Sequence, residues 1–92
     1  MYNDTLNTFV EENKERIPRI EKNKNESNMK DYSIDVHALK SDSKYLGFKK
    51  LAELSYEHEL KSKDNDIEYI NKHYDELINE YKRINDVIKN YL

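Results

Sequence analysis

From Ile67 to the end of the chain, apolar and aromatic side chains recur at steps of three and four: Ile67, Ile70, Tyr74, Leu77, Ile78, Tyr81, Ile84, Ile88 and Tyr91. That spacing draws one stripe along an α-helix, whereas a half-buried strand would alternate every second residue. At 1.5 Å per residue, a helix over 65–91 is about 40 Å long, and the rest of the chain must supply elements able to cover it. With one glycine and one proline in 92 residues there is little material for sheets or tight turns. The partners of the long stripe are therefore expected to be helices as well.

Three further segments have the required pattern. Tyr2, Leu6, Phe9, Val10, Ile17 and Ile20 line one face of a first helix over about 2–22. Pro18 falls inside it, lacks an amide donor and crowds the preceding turn, so a kink or an end is expected near Ile17. Residues 21–28 contain no apolar side chain and read as a frayed end and loop, with Ser27 or Asn28 available to cap a second helix over about 28–46. Gly47 follows, as a left-handed helix terminator. A third helix over about 48–61 carries Phe48, Leu51, Leu54 and Ser55, and Asn65 with Glu68 has capping-box spacing before the last helix. Short connections make neighbours antiparallel. The expected architecture is all-α: one domain over 1–92, folded as an up-down-up-down four-helix bundle.

Composition narrows the classes of function. There is no cysteine, hence no disulfide framework or thiolate metal site, and a reducing cytoplasm is the expected compartment. No apolar run reaches the roughly 18 residues that suggest a membrane span. Net charge is -3 with both signs interspersed, without the basic excess of a nucleic-acid binder. The tyrosines recur at helical core spacing, so they are expected in the core or half-buried with their hydroxyls at the surface. His58 and His73, with Glu57, Glu59 and Glu76 nearby, invite a metal reading. No pair has the HExxH arrangement, so no metal site is expected; His58 reads as a packed, hydrogen-bonded histidine and His73 as a surface one.

The second helix is the informative one. With His37 at zero and 100 degrees per residue, Met29, Tyr32, Val36, Leu39 and Leu46 fall between about 180 and 280 degrees, the core stripe. His37 lies well away from it, in solvent. Lys30, Ser33, Lys40, Ser41 and Lys44 fall within about 60 degrees of it, and Ile34, Ala38 and Tyr45 form an apolar margin on one flank. From His37 to Lys50 there are four lysines against one acid, Asp42. An imidazole is in large part neutral and nucleophilic at cytoplasmic pH. A phosphoryl group placed on this one would meet Lys40 as a point-charge partner. By geometry alone, an ordinary surface histidine on a lysine-rich helix has the same features.

The wording of the segment goes further. His37-Ala38-Leu39-Lys40-Ser41, then Leu46-Gly47 and Leu51, resembles the signature of histidine-phosphotransfer domains: His-x-Leu-Lys-Gly, a glycine ten residues after the histidine and a leucine four after that. The stretch DYSIDVHALKS is similar to the members attached to bacterial sensor kinases, and the likeness extends from about Phe9 to Arg83. The resemblance implies a helical bundle whose exposed His37 is phosphorylated, with Lys40 holding the phosphoryl oxygens. It implies a phosphocarrier without autonomous catalysis. The partner would be the receiver domain of a response regulator or hybrid histidine kinase, which supplies Mg²⁺ and an aspartate, while the domain itself binds no cofactor. Docking is expected on Ile34, Ala38, Ser41, Lys44 and Tyr45, by a monomer that engages neither nucleic acid nor membrane. Ser41 departs from the pattern's glycine, Asp42 from a small neutral residue, and His58 from an apolar one; Asp42 is expected at the core's rim. The alternative is a helical assembly or receiver-docking module without phosphotransfer.

Overall fold

The computed structural model describes residues 2–92; Met1 and the side chain of Tyr2, the first member of the N-terminal stripe, lie outside the description. Four helices account for nearly all of it: α1 Tyr2–Asn25, α2 Met29–Leu46, α3 Lys49–Lys63 and α4 Ile67–Tyr91, and there is no strand among the described residues. α1 packs on α2 and α4, and α3 packs on the same two helices, so each helix has two neighbours around a shared core. None is long and apolar enough to cross a membrane.

The α2 stripe is buried as the wheel requires: Met29, Tyr32, Val36, Leu39 and Leu46 all face inward. They meet Leu6, Phe9, Val10 and Ile20 of α1, Leu51 of α3, and Ile70, Tyr74, Leu77, Ile78, Tyr81, Ile84 and Ile88 of α4. Between α2 and α3 the buried positions include Ser33, Ser43, Ser55 and Ser62, small side chains that allow close approach of the two backbones. Ser55 and Ser62 satisfy their hydroxyls on the carbonyls of Leu51 and Glu59.

Pro18 does not end α1 near Ile17, and residues 21–25 are not loop: the helix runs through to Asn25. Pro18 sits on an exposed position, so the Lys14 carbonyl that loses its amide partner can turn to solvent. The turns beyond it are tied down from α2. Asp35, itself buried, accepts from Arg19 Nε at 2.9 Å and from Asn23 Nδ2 at 3.0 Å. Ile20 and Asn23 are both buried. Tertiary contacts thus outweigh the local cost of the proline.

The caps follow local chemistry. Asn28 caps α2, its side chain accepting from the Asp31 amide at 3.2 Å. Gly47 closes α2 at φ 88°, its amide bonded to the Lys44 carbonyl while Phe48 N–H reaches Ser43 O at 2.8 Å. That is the left-handed terminator for which glycine is suited. The start of α4 differs from expectation. Asn65 takes a left-handed conformation (φ 57°) in the turn out of α3, and Asp66 becomes the cap, accepting from the Tyr69 amide at 3.0 Å.

Two tyrosine hydroxyls do not reach the surface. Tyr81 is fully buried and donates to Asn13 Oδ1, and Asn13 in turn donates to Asn85 at 2.8 Å. Tyr32 is also fully buried and bonds His58 Nδ1 at 2.8 Å. Each of these two phenol hydroxyls has a partner, which removes most of the cost of burying it.

Candidate functional site

His37 occupies the middle of α2, with its side chain 56% exposed. Its Nδ1 lies 2.7 Å from Oε2 of Glu59 on α3, a carboxylate only 4% exposed. The same oxygen accepts from Lys63 Nζ at 2.8 Å, and Lys40 Nζ stands 3.0 Å from Oε1. One buried carboxylate therefore gathers an imidazole and two ammonium groups. Burial acts to raise the Glu59 pKa, but hydrogen bonds from Lys63, Lys40 and His37 outweigh it and hold the group down at about 2. Glu59 is ionised at any physiological pH.

An ionised carboxylate can only accept, so Nδ1 must be the donor. In the neutral ring the lone pair is then on Nε2, and the tautomer is fixed by the partner of the other nitrogen. The arrangement offers a held, exposed imidazole with Nε2 free to attack and a cation one helical turn away. Lys40 is also placed over the Tyr56 ring, 5.2 Å from its centroid, which restrains an otherwise flexible stem.

The structure brings His37 and Lys40 together on Glu59. The remaining positions on the wheel are divided. Ile34 is exposed beside His37, in a cleft of about 250 Å³ shared with Ser33, Glu59 and Lys63. Lys44 is exposed and lines another groove with Lys40, Gly47, Lys49, Ala52, Glu53 and Tyr56. Tyr45, 79% exposed, turns toward α1, beside Thr5, Thr8, Glu12 and Asp42. Ser41 is exposed and Ala38 half-buried between these regions. Asp42 stands at the rim and pairs with Arg16 Nη1 at 3.0 Å.

Glu59 and Lys63 were not singled out as partners of His37 from sequence. Their spacing of four is a common pair on a helix surface, and nothing in it points to a histidine on another helix. His58 is a packed histidine: it is 1% exposed, bonded to Tyr32 and set edge-on to Tyr69, and burial pushes its pKa down to about 4. His73 is half-buried against Tyr69, with ring centroids 4.3 Å apart, rather than free on the surface. Among the described residues, no group of three or more His, Cys, Asp or Glu side chains is arranged to hold a metal ion.

The Hpt domain family model matches residues 4–87, nearly the whole chain. No curated protein and no solved structure matched. Hpt domains are phosphocarriers that partner receiver domains in two-component phosphorelays. With the family match running from the first turns of α1 into the last turns of α4, this chain belongs to the Hpt domain family.

Proposed function

We propose that the domain accepts a phosphoryl group on Nε2 of His37 from the aspartyl phosphate of a receiver domain, in a response regulator or hybrid histidine kinase, and exchanges it with such an aspartate. The single observation that carries this is the bond from Nδ1 to Glu59, which leaves Nε2 as the nucleophile on an exposed ring. In the transfer, the Nε2 lone pair attacks phosphorus as the P–O bond to the aspartate breaks. The carboxylate leaves with the bonding pair, and the ring becomes cationic, keeping its Nδ1 proton hydrogen-bonded to the Glu59 carboxylate. The reverse step returns the phosphoryl group and leaves neutral imidazole.

Lys40 holds the phosphoryl oxygens in this reading. Ile34, Ala38, Ser41, Lys44 and Tyr45 form the receiver's footing. The exposure of Ile34 and Tyr45 on a charged helix supports it, since large apolar groups gain nothing from water. The helices run up-down-up-down, which the short connections at 26–28, 47–48 and 64–66 favour. The domain acts as a cytoplasmic monomer and binds no cofactor; Mg²⁺ belongs to the receiver, and neither nucleic acid nor membrane is engaged.

Incubation with a phosphorylated receiver tests the proposal. Acid-labile, base-stable label should appear on the wild-type chain and vanish in His37→Gln. Label that survives His37→Gln, or that disappears only in His58→Gln, overturns the assignment.

A further inference from the structure

Lys63 is the last residue of α3 and stands outside the His-x-Leu-Lys segment of α2. Its Nζ is 2.8 Å from the Glu59 oxygen that lies 2.7 Å from His37 Nδ1. It lines the cleft beside His37, whereas Lys40 lines the groove between α2 and α3 that contains Tyr56. The two ammonium groups thus approach the Glu59 carboxylate while lining different clefts. Lys63 is 59% exposed against 25% for Lys40, so its stem has more freedom to swing.

We propose that Lys63 is a second phosphoryl-binding residue, parked on Glu59 in the unloaded domain and transferred to the phosphoryl oxygens when His37 is loaded. The inference rests on the phosphocarrier reading given above.

Charge balance is the reason. Before loading, two lysines face one carboxylate. Loading adds about two negative charges on the phosphoryl group and one positive charge on the ring. Lys40, Lys63 and the ring cation then balance Glu59 and the phosphoryl group. With Lys40 alone, one negative charge would be left over. Glu59 is not abandoned in the exchange, because the Nδ1–H it already holds becomes part of a cation as Lys63 departs. The charged groups paired on Glu59, Lys63 from α3 and Lys40 from α2, are both included in this balance; Lys30 and Lys44, on the same face of α2, lie about two turns from His37.

The competing explanation is that Lys63 serves only to steady Glu59. Loading the whole domain with phosphoramidate, a small phosphoryl donor, separates the two without a receiver. Lys63→Ala should slow phosphorylation of His37 by about threefold to tenfold, as expected for a partly screened charge contact, and Lys63→Arg should restore it. The same drop should persist when Lys63→Ala is made in a Glu59→Gln background, and the ³¹P signal of the phosphohistidine should move on loss of Lys63 in both backgrounds. If the drop and the signal shift vanish in the Glu59→Gln background, Lys63 acts only through Glu59 and the proposal is overturned while the phosphocarrier reading stands. Absence of any effect in the wild-type background overturns it equally. A wild-type domain that takes no phosphoryl group on His37 overturns both.

Discussion

His37 and His58 sit on successive helices, and each is held through Nδ1, yet almost everything else about them is opposed. His37 is mostly in solvent and bonded to an ionised carboxylate; His58 is sealed between α2 and α4 and bonded to a neutral phenol. The carboxylate leaves Nε2 of an exposed ring free to act as a nucleophile, and it would stabilise the cation formed if a group were added there. The interior around His58, lined by Tyr32, Tyr69 and His73, penalises any cation there. Residue type therefore decides little; exposure and the chemistry of the Nδ1 partner separate an available nucleophile from a piece of core.

The largest expected effect breaks the pair by truncation. His58→Ala empties a fully buried site and strands the Tyr32 hydroxyl, so it should cost roughly 2–4 kcal/mol of unfolding free energy. His37→Ala should cost under about 1 kcal/mol, because surface changes are usually small and Glu59 keeps Lys40 and Lys63. Urea unfolding of both variants against wild type decides it. Equal losses would mean that His37 is structural.

Acid sharpens the same contrast. The His58 ring takes a proton near 6.5 when unfolded but only near 4 when folded. Between those values the unfolded state binds more protons, so stability is complete above about pH 6.5 and falls as pH drops toward 4. The loss from pH 7 to 5 should be about 2 kcal/mol. Glu59 contributes in a lower window: its pKa is depressed from 4.5 to about 2, so its stabilisation is present above 4.5 and is lost as pH falls toward 2. The step between pH 7 and 5 therefore reports His58, and His58→Ala should remove most of it. A wild-type protein equally stable at both values would mean that the buried ring takes up its proton without penalty.

How much of this was legible in the chain depends on how far away the deciding contact lies. The inward face of α2, the exposure of His37, and the roles of Asn28 and Gly47 as caps all depend on residues within one helix or turn, and sequence spacing reports them directly. The continuation of α1 past Pro18 was not legible because the force holding its last turns comes from Asp35 on α2. Asn65 lost the cap to its neighbour because the exit from α3 required a left-handed residue first. The hydroxyls of Tyr32 and Tyr81 were expected in water because their partners, His58 and Asn13, lie on other helices. Glu59 was hidden for the same reason: in a chain rich in charge, only the pairing of α2 with α3 distinguishes a carboxylate under a histidine from one in solvent.

The smallest expected stability effect lies in the tyrosines near the two histidines. Tyr32 is fully buried and bonds His58, whereas Tyr45, two turns along α2 from His37, is 79% exposed. An aromatic ring in that position contributes little to folding, so Tyr45→Asp should change unfolding free energy by no more than about 0.5 kcal/mol. Its cost should fall on binding, where aromatic anchors carry much of the energy of an interface, and where a new carboxylate would replace an apolar contact beside Glu12 and Asp42. A melt together with receiver-binding measurements on the one variant separates the two effects. An unchanged melt with weakened binding places the receiver's footing on the α1 flank of His37. Unchanged binding moves that footing off the α1 flank to the α3 side of the groove around Lys49 and Tyr56, and a large loss of stability would mean that Tyr45 belongs with Tyr32 in the core.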